Sequence, residues 1–206
     1  ESNAHPHVCR NKVAIVHNGI IENHEELRFS QESRGHRFSS ATDTEVIVNE
    51  IYDHLGSTDT LLGAVRRAIG KLEGAYALGV VSISEPGTII ACRKGSPLVI
   101  GIGIGESFIA SDVAALTSVT QQFIFLEEGD IAEITGDDVK VFDVSRQAVE
   151  RKICRSSLKA ESVELGEFRH YMRKEIFEQP DAIRNTLEGC FSGLNLLESA
   201  FGPKAS

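Results

Sequence analysis

The sequence predicts an α+β fold or a layered α/β/β/α architecture. Two observations predict it. Apolar residues at helical spacing are concentrated between Asn23 and Leu72, and from Ala75 to Phe142 they give way to short β-rich runs separated by turns. Strict β-α-β alternation is absent, so helices packed on antiparallel sheets are expected rather than a parallel sheet threaded by crossovers.

The elements follow in order. The stretch VAIVHNGIIENHEELR (Val13 to Arg28) opens as a buried strand that stops at His17-Asn18-Gly19 and restarts as Ile20-Ile21. Asn-Gly between apolar runs is a hairpin signal, because both residues tolerate positive φ. The return of two residues is too short for a hairpin, however, and Asn23 with Glu26 three residues later reads as a helix N-cap with its reciprocal partner. The expectation is strand, kinked turn, then helix to about Gln31. Gly35 breaks the pattern, and His36–Ser40 is expected as a short strand.

Thr42-Asp43-Thr44-Glu45 reads as a second capping box, leading a helix whose Val46, Ile47, Ile51 and Leu55 share one face up to Gly56. Ser57–Thr60 opens a third helix carrying Leu61, Val65, Ala68, Ile69 and Leu72, stopped by Gly74. Strands are expected over Ala75–Ser84, Thr88–Arg93, Leu98–Gly103, Ser107–Ala110, Phe123–Leu126, Ile131–Ile134 and Val139–Phe142, with Asp112 capping a short helix through Leu116. A polar amphipathic helix is expected from about Glu167 to Leu187 after a charged stretch, Lys159–Gly166, which places a boundary near Gly166. The domains expected are therefore 1–166 and 167–206.

With 206 residues and 41% hydrophobic content, the chain can bury a full core. A net charge of −9 without any basic block argues against nucleic acid or an anionic membrane as partner, and no apolar run is long enough to span a bilayer. Cys9, Cys92, Cys154 and Cys190 lie far apart with no C-x-x-C pair, which reads as free thiols in a reducing cytoplasm. The chain opens on Glu1 with no initiator Met and no signal-peptide pattern.

Few residues combine into chemistry. Gly101, Gly103 and Gly105 fail the dinucleotide fingerprint, because Glu106 or Phe108 stands where its third Gly belongs. His5, His7 and His17 lack the Cys or second His pair that would complete a zinc set, and read better as a polar neighbourhood at the edge of an active site. Asp43 suits either a helix N-terminus, through the dipole, or a ligand ammonium group. Asn18-Gly19 suits either a capped tight turn or an oxyanion hole, in which a side-chain amide and an unhindered backbone N–H converge on one oxygen.

The stretches NAHPHV, VHNGIIENHEELR, ATDTEVI, LEGAYALGVV, CRKGSPLVIGIG, FIASDVAAL and FLEEGDIAEI, with HYMRKEIFEQPDAIRNTL beyond them, resemble class II glutamine amidotransferases. Within that group they resemble the glutaminase domain of the glutamine–fructose-6-phosphate aminotransferases. The His-Asn-Gly and Thr-Asp-Thr-Glu motifs are shared across the class, whereas the Lys-Gly-Ser-Pro-Leu and Tyr171–Pro180 stretches are narrower. The resemblance implies an N-terminal-nucleophile hydrolase sandwich, with Asn18 and Gly19 as oxyanion hole and Asp43 holding the glutamine α-amino group.

It also implies L-glutamine as substrate, ammonia delivered to D-fructose 6-phosphate to give D-glucosamine 6-phosphate, and neither cofactor nor metal. The expected partner is a sugar-phosphate isomerase domain of the same protein, the whole forming a cytoplasmic homodimer. The family nucleophile is an N-terminal cysteine whose own α-amino group is the general base. Here Glu1 stands first and Cys9 is internal. The expectation is a chain lacking the first part of the domain, inactive alone, with some apolar sheet left exposed. Two rivals stay open: another class II amidotransferase, such as the phosphoribosyl-pyrophosphate enzyme, and a glutamine-binding module without chemistry.

Overall fold

Val13, Ile15 and Ile21 are buried while Val16 and Ile20 are exposed, the two-residue period of a strand covered on one face. The computed structural model describes residues 2–136, 138–155, 168–188, 191–192 and 195–196. The chain divides into two compact units, Glu1–Ala160 and Glu161–Ser206.

In the first unit a seven-stranded antiparallel sheet runs in the order β1 (His7–Cys9), β2 (Val13–Ile21), β3 (Gly74–Ser82), β4 (Thr88–Lys94), β8 (Ile131–Thr135), β9 (Asp138–Phe142), β10 (Ala148–Val149). A four-stranded sheet runs β11 (Ile153–Arg155), β7 (Gln122–Phe125), β5 (Val99–Ile102), β6 (Ser107–Ala110). Helices α1 (His24–Ser33), α2 (Asp43–Leu55) and α3 (Leu61–Ile69) complete the unit with a 3-10 turn, Val113–Leu116.

Three apolar clusters define the layers. Ile47, Ile51, Leu61 and Val65 of the helices pack with Ile15, Leu78, Val80 and Ile90 of the larger sheet. Ala77, Ala91 and Ile134 meet Ile100 and Ile124 between the sheets. Val99 and Phe123 meet Leu116 of the 3-10 turn. The order is helix, sheet, sheet, helical turn, the α/β/β/α layering that the resemblance implies. On the larger sheet, Val8, Val16, Ile20 and Val81 remain exposed.

Several local expectations are corrected. β2 does not stop at Asn18-Gly19; it runs unbroken to Ile21 and pairs along its whole length with β3, Val13 opposite Ser82 and Ile21 opposite Gly74. Asn23 caps no amide of α1; its carboxamide donates to Lys71 O at 2.9 Å and accepts from Glu73 N–H at 3.0 Å, fastening the helix start to the approach to β3. Glu45 does not reach back to Thr42: it accepts from the backbone N–H and hydroxyl groups of both Ser39 and Ser40. Those bonds hold Ser39 and Ser40, and residues 36–40 form no strand, contrary to expectation. α3 ends at Ile69, so Leu72 is buried beyond the helix. Gly166 and the charged stretch before it lie outside the described residues.

Helix α2 carries a buried carboxylate, Glu50. It accepts from Gln31 and Arg34 at 3.0 Å each and pairs with Lys71, while His54 Nε2 lies 3.3 Å away. Burial alone would raise its pKa, but the bonds from Lys71, Gln31 and Arg34 outweigh that and hold it at about 2.

The second unit contains α4 (Tyr171–Glu188), with Pro180 inside it, and a short hairpin, β12 (Phe191–Ser192) with β13 (Asn195–Leu196). Phe168 stacks on Phe177 at 5.6 Å, and Met172, Ile176 and Ile183 are exposed. Among the described residues no helix is long and apolar enough to cross a membrane.

Candidate functional site

Strand β2 carries the candidate site, and its alternation splits His17 and Asn18 between its faces. His17 points with Val13 and Ile15 toward the helices; Asn18 is exposed. Asn18 and His17 line an open cavity of about 170 Å³ together with Ala77, Gly79, Leu98, Ile109 and His5. A Cβ on Gly79 would stand 2.4 Å from Ile109 Cδ1, so the missing side chain lets the two sheets close over one end of the cavity. The Asn18 carboxamide makes no hydrogen bond among the described residues, and no turn exists there for it to cap.

Gly19 follows with φ +135°, and a Cβ would lie 2.1 Å from Ala75 O. Only glycine permits this backbone so close to β3. The strand passes through Asn18-Gly19 with its register to β3 unbroken.

Asp43 opens α2 behind the same strand. Its Oδ2 accepts from Ile21 N–H at 2.8 Å, tying the end of β2 to the helix start. Its Oδ1 lies 3.5 Å from the Thr44 hydroxyl and 3.7 Å from His17 Nδ1. Thr44 Oγ1 in turn stands 3.0 Å from His17 Nδ1 and 3.5 Å from His5 Nε2, and His7 Nε2 contacts Thr42 Oγ1 at 3.2 Å. Arg28, stacked over Phe38, donates to Ser40 O and Thr42 O and so fixes the segment that delivers Asp43. Asp43 does not line the cavity; it connects to it through His17.

Burial lowers the pKa of His17, against the pull of Asp43, and burial with His5 nearby lowers that of His7. Both rings are neutral near pH 7 and available as hydrogen-bonding groups. The three histidines each use a ring nitrogen on a threonine hydroxyl, and no metal-binding group of His, Cys, Asp or Glu occurs among the described residues.

Cys9 is buried with its thiol pushed up to about 11, and Cys92 up to about 12, each by desolvation. Neither is poised as a thiolate. Cys154, on β11, does not line the cavity; Cys190 lies outside the described residues. The sequence reading singled out Asn18, Gly19 and Asp43, and the histidines as polar surroundings. It missed Thr44, because a threonine at the second position of a helix carries no signal until His17 is folded against it.

The layered fold is that of the N-terminal-nucleophile type of amidotransferase. The chain belongs to the glutamine amidotransferase domain family, whose model matches residues 1–118. It is 48% identical over 206 residues to the glutamine–fructose-6-phosphate aminotransferase (isomerizing) of Idiomarina loihiensis, covering 100% of this chain and 34% of that protein. It is 52% identical over 202 residues to the enzyme of the same name from Haemophilus influenzae, covering 98% and 33%. The chain thus spans about a third of the length of these curated relatives. Among solved structures it is similar to the glutamine phosphoribosylpyrophosphate amidotransferase of B. subtilis in complex with ADP and GMP, at a TM-score of 0.60 and 25% identity over 71% of this chain and 33% of that one.

Proposed function

We propose that this chain supplies the oxyanion-binding and amine-binding parts of a glutaminase site. The protein that carries it hydrolyses L-glutamine and delivers the ammonia to D-fructose 6-phosphate, forming D-glucosamine 6-phosphate. The observation that carries the reading is Asn18, an exposed carboxamide without a hydrogen-bond partner, on a cavity wall beside a glycine whose backbone nothing but glycine can adopt. When a thiolate adds to the carboxamide carbon, negative charge develops on the carboxamide oxygen. Asn18 Nδ2–H and Gly19 N–H are the donors assigned to it. Asp43 holds the α-ammonium group, so that the carboxamide is delivered in one register. Among the described residues none supplies the thiol: Cys9 and Cys92 are buried and protonated, and Cys154 does not line the cavity.

Relatives about half identical along the entire chain, α4 included, support fructose 6-phosphate as acceptor. The phosphoribosylpyrophosphate enzyme matches less of the chain at half that identity. The reading carries with it a cytoplasmic homodimer in which a sugar-phosphate isomerase domain of the same polypeptide receives the ammonia. Incubating the full-length protein with glutamine and either fructose 6-phosphate or phosphoribosyl pyrophosphate tests it. Equimolar glutamate and glucosamine 6-phosphate are expected; amination of the pyrophosphate sugar instead would replace this reading with the second.

A further inference from the structure

Asp43 has one free edge. Oδ2 is occupied by Ile21 N–H at 2.8 Å, so Oδ1 is the oxygen left for a ligand. That oxygen is bordered by the Thr44 hydroxyl at 3.5 Å and His17 Nδ1 at 3.7 Å, and the Asp43 side chain is 20% exposed. A carboxylate facing Nδ1 favours the tautomer with its proton there. Nδ1–H then donates to Thr44 Oγ1 at 3.0 Å, and the single hydroxyl proton turns to Asp43.

This tautomer leaves Nε2 as a bare lone pair, buried and without a hydrogen-bond partner among the described residues. A buried acceptor left unpaired is destabilising. The Nδ1 face of the ring is the one engaged, with Thr44 and Asp43.

We propose that His17 and Thr44 are positioning residues that set selectivity for a substrate α-ammonium group by fixing the Oδ1 edge of Asp43. The proposal rests on the glutaminase reading of Asp43 and deepens it. Neutral imidazole is essential to the arrangement: a protonated ring would put a cation beside Oδ1 and compete with the ammonium group. Burial, helped by His5 and His7, keeps His17 neutral against the attraction of Asp43.

The test compares kcat/KM for glutamine with that for 4-carbamoylbutanoate, which is glutamine without its amino group, in the full-length protein. Thr44→Val should lower the ratio about tenfold, the equivalent of one hydrogen bond, and Thr44→Ser should restore it. If Thr44→Val does not fold, His17→Leu and His17→Asn carry the same contrast, since Asn keeps a donor near the Nδ1 position. Asp43→Asn runs in parallel and should lower the ratio about ten- to a hundredfold, as loss of a charge-assisted bond does. If Asp43→Asn lowers the ratio while the Thr44 and His17 variants leave it unchanged, this proposal fails and the reading of Asp43 stands. If Asp43→Asn leaves it unchanged, both fall. Equal losses on the two substrates in Thr44→Val would reduce Thr44 to a structural role and overturn the proposal.

Discussion

Replacing Glu50 by Gln keeps the shape of a fully buried side chain and removes its charge. Lys71 would then lose its carboxylate partner and Arg34 would keep only Asp53, while Gln31 would keep an acceptor. The magnitude follows from linkage. Glu50 is held at about 2 in the folded protein, against an ordinary value of 4.5. At ~1.4 kcal/mol per pKa unit, the folded state favours the charged form by about 3 kcal/mol. Because the folded pKa is depressed, this stability is fully present above about pH 4.5 and is lost as pH falls toward 2. Removing one partner of a buried pair costs about 3–5 kcal/mol, and the low end applies because Arg34 and Lys71 can turn toward water. Urea unfolding of wild type and Glu50→Gln should therefore differ by about 3 kcal/mol at pH 7, with the gap narrowing between pH 4.5 and 3. A gap under ~0.5 kcal/mol, or one that does not change with pH, would refute the assignment of Glu50 as the ionised anchor of α1, α2 and the Lys71 loop.

Two further predictions follow from backbone and burial. Gly19→Ala should lose at least ~2 kcal/mol of stability by urea unfolding, because a side chain at φ +135° is strained and its Cβ meets Ala75 O; a neutral substitution would mean that β2 can shift away from β3. Cys9 and Cys92 should resist maleimide in the native protein and react only on unfolding, with thiol pKa values near 11 and 12; native labelling of either, located by peptide mass, would contradict their burial.

The helices were legible where apolar spacing and caps agreed, as at Thr60, whose hydroxyl accepts from Gly63 N–H, and at Asp112, which accepts from Ala114 N–H. The interior strands were legible because their apolar runs are bounded by turns. Strands β1, β10 and β11 are two or three residues long, too short for any period to show. Asn18-Gly19 misled because a dipeptide that favours positive φ serves a turn or a twisted strand equally well, and only the partner strand β3 decides between them. Asn23 and Glu45 misled for a related reason. Their side chains match a capping motif, yet tertiary partners at Lys71, Glu73, Ser39 and Ser40 offered better bonds than the local amides. The identities of Asn18, Gly19 and Asp43 were visible in the motifs; the His17–Thr44 connection between them depends on α2 packing against β2.

The oxyanion role of Asn18 is tested most directly by Asn18→Ala in the full-length protein, with kcat for glutamine hydrolysis and unfolding free energy measured on one preparation. The account predicts a fall in kcat of about 10²–10³, since the interaction forms on charge that develops in the transition state. KM should change little. Stability should stay within about 0.5 kcal/mol, because the carboxamide is exposed and bonds to nothing in the folded chain. Glucosamine 6-phosphate formation from added ammonia should be unaffected, as that route forms no oxyanion in this site. An unchanged kcat per folded molecule, with stability falling instead, would contradict the account and return Asn18 to a structural role in strand β2.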